Sequence, residues 1–144
     1  MLVYFLGYSL QFYIKHFYDD LYIGGDIYAN DRTQVAPEGI NFRGDYMYEL
    51  GYSGLIIKPK FGKKIWDIRD NYSLIYFKEH GGPNQVFQIE YIGPYTYQII
   101  NRGKCLEYKP YKREYETTYC NRMARNQKFA FIKTEEEEIY RTYG

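Results

Sequence analysis

The segments N-Q-V-F-Q-I-E, residues 84–90, and N-Q-K-F-A-F-I, residues 126–132, decide the fold of this chain. Both begin with Asn-Gln and carry a phenylalanine at the fourth position. The two asparagines are 42 positions apart, since 126 minus 84 is 42. A signature that recurs at a fixed period of about 40 residues is typical of a repeat architecture.

Similar patterns precede both signatures. Y-Q-I-I-N-R-G-K-C-L-E-Y (97–108) precedes the second, and L-I-I-K-P-K-F-G-K-K-I-W-D-I (55–68) precedes the first. Near the N-terminus, F-Y-I-K-H-F-Y-D-D-L-Y-I (12–23) has the same form, which is an apolar strand, a polar turn and a second short strand. The alternation of apolar and polar residues in these segments indicates β-strands. The sequence therefore predicts three copies of one β-rich unit.

The three units are bounded by turn-forming stretches, G-Y-S-G at 51–54 and I-G-P-Y at 92–95. Three units of about four short strands suit a closed barrel with threefold pseudosymmetry, because closure removes exposed sheet edges. We predict an all-β, single-domain chain over 1–144. Its units lie near 8–52, 53–93 and 94–133, and a polar tail follows at 134–144.

Composition limits the other possibilities. The chain has 144 residues and a net charge of +1, which gives no general argument for nucleic acid or membrane binding. Its 20 Tyr and 9 Phe favour strands. No apolar run reaches the roughly 20 residues of a membrane helix, so we expect no membrane insertion. The apolar opening M-L-V-Y-F-L-G lacks a basic region and a typical cleavage site, so we interpret it as part of the fold.

The repeated signature resembles a known family. N-Q-x-F at the end of two units is similar to the Q-x-W signature of ricin B-type β-trefoil lectins. K-C-L-E (104–107) resembles the C-L-D stretch of that family, and W-D-I (66–68) resembles its counterpart in the neighbouring unit. The resemblance covers nearly the whole chain and implies a β-trefoil fold. It also implies that the Gln and aromatic residues of the signature mainly brace each unit.

The resemblance assigns a candidate glycan site to the second unit. Sugar recognition uses a carboxylate or amide to hold paired hydroxyls and an aromatic face for the apolar side of the ring. By position, these would be Asp67, either Phe77 or Tyr76, and Asn84. His80 lies in the intervening loop and is expected to line the pocket.

The other two units match the family less well. The third unit has Glu107 at the acid position and Asn126 at the amide position, with Tyr115 or Tyr119 as the aromatic residue. The longer Glu side chain changes the geometry of this candidate site. The first unit has Tyr22 where the acid would stand and lacks Asn-Gln. We therefore expect it to be a non-binding copy.

Cys105 and Cys120 are the two cysteines of the chain. The resemblance implies a disulfide between them, which would close a loop of about 15 residues and stabilise the fold by about 3 kcal/mol. The alternative is a pair of buried free thiols in a reducing compartment. A bridged pair would indicate a secreted protein and free thiols an intracellular one. Two cysteines and two histidines give no metal-ligand spacing, so we expect neither a metal nor a cofactor.

The sequence favours a binding module over an enzyme. It has three serines, and neither histidine belongs to a motif that would place it beside a nucleophile. The first hypothesis is a non-catalytic carbohydrate-binding module whose partner is a glycan or glycoprotein. The alternative is a β-trefoil scaffold that has lost sugar binding and binds a protein or ribonucleoprotein complex. The degenerate first unit and the short spacing of 17 from Asp67 to Asn84 favour the alternative.

Overall fold

The computed structural model describes residues 11–29, 32–39, 46–50 and 56–133. The described residues form twelve β-strands and two short 3₁₀ helices, and no α-helix. The strands are β1 (Gln11–His16), β2 (Tyr22–Gly25), β3 (Thr33–Glu38), β4 (Tyr48–Leu50), β5 (Ile57–Pro59), β6 (Ile65–Arg69), β7 (Ser73–Phe77), β8 (Gln88–Gly93), β9 (Thr96–Asn101), β10 (Lys104–Lys109), β11 (Glu114–Thr118) and β12 (Phe129–Ile132). The 3₁₀ helices are η1 (Pro83–Gln85) and η2 (Arg125–Gln127). The prediction of an all-β fold is confirmed; the predicted tail at 134–144 lies outside the described residues.

The strands come in three groups of four, β1–β4, β5–β8 and β9–β12, and each group falls within one predicted unit. The second and third strands of every group form an antiparallel hairpin. Pairings of β7 with β3 and with β11 join the three hairpins. The last strand, β12, pairs with β1 and closes the sheet on itself. The closed arrangement that the repeat predicted is therefore present.

The core is built from the inward-facing side of each strand. β1 shows the alternation expected of a strand with one buried face, with Phe12, Ile14 and His16 inside. The two signature phenylalanines, Phe87 and Phe129, are 1% exposed. Burial of a side chain of this size contributes about 1.5–3 kcal/mol, so the repeated signature stabilises the core.

Buried tyrosines fill much of the remaining interior. The hydroxyl of Tyr76 donates a hydrogen bond to the Gly24 carbonyl (2.7 Å), and the Tyr48 hydroxyl lies 2.6 Å from the Tyr76 hydroxyl. Burial raises the pKa of Tyr48, Tyr76 and Tyr115, so these hydroxyls stay neutral. A tyrosine-rich interior is tolerated here because the buried hydroxyls have partners. In the described part of the chain, no helix has the length and apolar character needed to cross a membrane.

Candidate functional site in the second unit

Asp67 lies at the centre of the candidate site. It is the third residue of β6, in the sequence I-W-D-I-R, where it pairs with Ile75 of β7. Only 4% of its surface is exposed, and its neighbours in the strand are apolar. A buried carboxylate is costly unless hydrogen-bond donors compensate it.

Three donors meet the carboxylate of Asp67. The side-chain amide of Asn84 donates to Oδ1 at 2.7 Å, and that of Gln85 donates to Oδ2 at 2.8 Å. His80 Nε2 lies 3.3 Å from Oδ2. The turn η1 places Asn84 and Gln85 side by side, so the Asn-Gln signature delivers two of the three donors. The structure therefore brings together Asp67 and Asn84, the pair that the resemblance suggested, and places His80 of the intervening loop beside them.

Gln85 holds the loop that carries His80. Its Oε1 accepts hydrogen bonds from the backbone N–H groups of His80 (2.8 Å) and Gly81 (3.2 Å). Its Nε2 donates to the Lys78 carbonyl (2.8 Å) as well as to Asp67. The amide thus uses two acceptor and two donor positions, and the residue is fully buried. Gln85 has a structural role and presents no free group to a ligand.

His80 forms the solvent-facing side of the site. The Gly82 N–H donates to Nδ1 at 3.0 Å, which leaves the proton of the neutral ring on Nε2, facing Asp67. The ring packs edge-on against Phe77, with centroids 6.1 Å apart. The side chain of His80 is 39% exposed and that of Asp67 is 5% exposed. His80 therefore lies between the acid and solvent.

The structure decides between the two candidate aromatic residues. Tyr76 is fully buried in the core, with its hydroxyl bonded to Gly24, so it does not line the site. Phe77 is half-buried and contacts His80. Successive side chains of a strand point to opposite faces, so Tyr76 and Phe77 cannot both face the site. The expectation that Tyr76 lines the pocket is corrected by this register.

The third unit repeats the glutamine arrangement with a different acid. Gln127 donates to Glu107 Oε1 (3.1 Å) and to the Tyr119 carbonyl (2.9 Å). It accepts from the Asn121 N–H (2.9 Å) and from Gln98 (3.2 Å). Lys109 bonds the other oxygen of Glu107, and this hydrogen bond raises the pKa of Lys109. A lysine thus contacts the acid of the third unit, whereas an imidazole contacts the acid of the second unit.

Asn126 does not join Glu107, contrary to the expectation from its position. It lies in a separate small cavity, which His16 and Tyr18 also line. The aromatic residue is missing too, because the strand register places Thr118 opposite Cys105, where the second unit has Phe77 opposite Ile65.

The two aromatic candidates of the third unit lie elsewhere. Tyr115 is fully buried, and Tyr119 is 84% exposed just beyond β11. The residues proposed for this unit are therefore not assembled into one site.

In the first unit the residue at the acid position is Gly24. The sequence-based assignment of Tyr22 to this position was therefore wrong. Ile23 is fully buried like Trp66 and Leu106, so the residue after it corresponds to the acid. A Cβ atom on Gly24 would lie 2.8 Å from the Tyr46 ring and 2.7 Å from Glu38 Cγ. These side chains fill the space that an acid at this position would need, so the described residues of the first unit form no site that matches the one at Asp67.

Cys105 and Cys120 form a disulfide, with their Cα atoms 4.9 Å apart. The bond links β10 to the segment after β11, beside the Tyr119 and Asn121 groups that hold Gln127. The alternative of two free thiols does not apply to this structure. Within the described residues, no three His, Cys, Asp or Glu side chains are grouped as a metal site would require.

Comparisons with known proteins agree on the fold. No protein-family model and no curated protein matches the chain. The designed threefold symmetric protein ThreeFoil superposes with a TM-score of 0.74 at 14% identity, over 86% of this chain and 99% of ThreeFoil. Cry35Ab1 gives 0.74 at 17% identity, over 90% of this chain and 37% of its own.

The third comparison is with a lectin. The Polyporus squamosus lectin, solved with the epitope Neu5Aca2-6Galb1-4GlcNAc, gives a TM-score of 0.73 at 14% identity. The match covers 90% of this chain and 50% of the lectin. This chain therefore spans about half of the lectin and about a third of Cry35Ab1. At these identities the matches establish the fold alone, which is β-trefoil-like.

Proposed function

We propose that this protein is a non-catalytic carbohydrate-binding module of the ricin B-like type, and that it binds glycan hydroxyls at the second unit. The observation that carries the proposal is the carboxylate of Asp67, held in place by Asn84 and Gln85 and contacted by His80, whose ring packs against Phe77. An acceptor whose position is fixed before binding loses little freedom when a ligand arrives.

The hydrogen-bonding capacity of the site matches a pair of sugar hydroxyls. A carboxylate has about four lone-pair positions, and the protein donors at Asp67 use three of them. Asn84 adds its amide oxygen, which accepts no described hydrogen bond. One hydroxyl would donate to Asp67 and its neighbour to Asn84, with Phe77 against the apolar side of the sugar ring.

When a sugar binds, His80 would either keep its contact with the solvent-facing side of the Asp67 carboxylate or move away from it. Its contact with the carboxylate is the longest of the three and its ring is the most exposed. A sugar hydroxyl can replace the Nε2 proton as donor without leaving the acid unpaired. His80 is therefore the residue at which the site opens.

A glycan array with three matched proteins tests the proposal. We expect the wild type to bind, and Asp67→Asn to weaken binding about tenfold, which corresponds to the loss of one charge-assisted hydrogen bond. Glu107→Gln, the matched change in the third unit, should leave binding unchanged. The fluorescence of the buried Trp66 verifies that each variant is folded. No binding by the wild type, or equal binding by Asp67→Asn, would reject the proposed function; mass analysis of recovered glycan checks that it is unaltered.

The disulfide adds a proposal about the compartment. Structural disulfides persist in oxidising environments, so we propose that the protein acts outside the reducing cytosol. Alkylation of the natively isolated protein without reductant, followed by mass spectrometry, should label neither cysteine. Labelling of both would reject this assignment and leave the glycan proposal untouched.

A further inference from the structure

A second group of side chains lies apart from the Asp67 site, where the turn after β1 meets η2. We call Tyr18, Arg125 and Lys128 the Tyr18 cluster. The guanidinium carbon of Arg125 lies 4.7 Å from the centre of the Tyr18 ring, and Lys128 Nζ lies 5.4 Å from it. Lys128 also donates to the Tyr18 hydroxyl at 3.3 Å. Two cations thus converge on one half-exposed ring.

The positive charge of this cluster has no ion-pair partner among the described residues. Within the described residues, neither Arg125 nor Lys128 has a carboxylate at ion-pair distance. The nearby acid is Asp19, whose oxygens contact His16 Nδ1 (3.2 Å) and accept the Leu21 N–H (2.9 Å). Burial lowers the pKa of His16, so its ring does not add a charge at neutral pH. Among the described residues, two cations and one carboxylate that is already hydrogen-bonded give the cluster a net positive charge.

A small cavity lies between these groups. It has a volume of about 10 Å³, and the Tyr18 cluster lines it together with His16, Asp19, Tyr108 and Asn126. The volume is close to that of a single water-sized oxygen. The side chain of Asn126 makes no described hydrogen bond, so its amide N–H is available there as a further donor.

We propose that the Tyr18 cluster binds a tetrahedral oxyanion, a sulfate or phosphate group, with one oxygen in the cavity. Arg125 presents a planar set of N–H donors that suits two oxygens of such a group, and Lys128 supplies a second charge. Asn126 donates to the inserted oxygen. The exposed part of the Tyr18 ring offers a surface for a sugar ring that carries the anion. This site is independent of Asp67 and does not rest on the function proposed above.

Titrations followed by ¹⁵N–¹H NMR at constant ionic strength test this inference, with sodium chloride as the reference. The probes are sodium sulfate, galactose 6-sulfate and galactose. We expect both sulfate compounds to shift the amide signals of Tyr18, Arg125 and Lys128, and galactose to leave them in place. Tighter binding of galactose 6-sulfate than of sulfate would identify a ring-borne group as the ligand, and equal binding would identify the free anion.

Variants locate the binding. Arg125→Gln and Lys128→Gln should each weaken sulfate binding about tenfold, the loss of one charge-assisted contact. Lys58→Gln, on an exposed position of β5, removes the same charge elsewhere and should bind like the wild type. Asp67→Asn should also bind sulfate normally, which separates this site from the glycan site. Shifts no larger than with chloride, or equal binding by the two cation variants and Lys58→Gln, would overturn the inference.

Discussion

The second and third units share the same internal glutamine brace and differ in the residues that surround its acid. In both, a buried glutamine from the Asn-Gln signature bonds an acid on the preceding hairpin and two or more backbone groups. In the second unit the acid is Asp67, which Asn84 and His80 contact, and Phe77 packs against His80. In the third unit the acid is Glu107, which is paired with Lys109, and Asn126 lies elsewhere.

This difference shows that the structural role of the Asn-Gln signature is distinct from any role in ligand binding. The glutamines are needed wherever an irregular loop must have its backbone groups paired. The positions of Phe77 and Thr118 are free to vary, because no hydrogen bond of the glutamine brace uses their side chains. A repeated Asn-Gln therefore indicates a repeated structure, and only the surrounding residues indicate which copy binds a ligand.

The largest effect is expected at the glutamine braces. Gln85→Ala would leave the His80 N–H and the Lys78 carbonyl without their partner and would remove one of the three donors to Asp67, so it should lower the free energy of unfolding by about 3 to 4 kcal/mol. Gln127→Ala should cost a similar amount. Urea denaturation followed by Trp66 fluorescence measures both. Gln88→Ala, at an exposed position, is the control and should stay within about 0.5 kcal/mol of wild type; a brace variant as mild as this control would contradict a shared structural role.

Reduction of the disulfide should affect the third unit and leave the second unit unchanged. Reduction should lower stability by about 3 kcal/mol and the melting temperature by about 10 °C, since a loop of about 15 residues is released. Hydrogen exchange should increase around Tyr119 and Asn121 and stay unchanged around Asp67, because the second unit has Ile65 at the position of Cys105. A double variant, Cys105→Ser with Cys120→Ser, should behave like the reduced protein and ignore reductant. Faster exchange around Asp67 instead would show that the bond does not act locally.

Replacing the aromatic residue Phe77 should make the second unit resemble the third. Phe77→Thr introduces the residue type that the third unit has at Thr118 and removes the aromatic face beside Asp67. Because an aromatic contact contributes about 1 kcal/mol, glycan affinity should fall about fivefold. Calorimetric titration with a glycan selected on the array measures this. Phe61→Thr, which removes an exposed ring elsewhere, should have no effect on affinity; an unchanged affinity for Phe77→Thr would remove Phe77 from the site.

The smallest effect concerns pH and the contact between His16 of the first unit and Tyr115 of the third unit. Burial lowers the pKa of His16, whose Nε2 lies 2.5 Å from the Tyr115 hydroxyl and whose Nδ1 faces Asp19. Below its ordinary pKa of 6.5 the unfolded chain takes up a proton that the folded chain resists. Stability should therefore be complete above about pH 6.5 and decline as pH falls below it. Melting temperatures from pH 7.5 to 5.0 should show a steeper decline for wild type than for His16→Gln; parallel curves would contradict this assignment.

Much of the fold could be predicted because the signal was periodic. The two signatures, their shared spacing and the alternating strands all reflect the same threefold geometry. The encounter of Asp67 with Asn84 followed from the resemblance, because the two residues lie within one unit and 17 positions apart.

The remaining features depend on register and on distant parts of the chain. A shift of one residue along β7 decides between Tyr76 and Phe77, and spacing alone does not fix it. In the first unit, a two-residue difference separates Tyr22 from Gly24, and no signature was present to align it. The neighbours of Asn126 come from β1 and the turn after it, more than 100 positions earlier, so no local pattern predicted the Tyr18 cluster.

The most direct test of the central claim is to map the bound glycan onto the two units. A glycan selected on the array is titrated into ¹⁵N-labelled protein, and the shifts of the backbone amides are compared between the second and third units. The account predicts shifts at Asp67, Phe77, His80 and Asn84, and none at Glu107 or Thr118. Shifts centred on Glu107, or equal shifts in both units, would contradict the claim that the second unit is the glycan-binding copy.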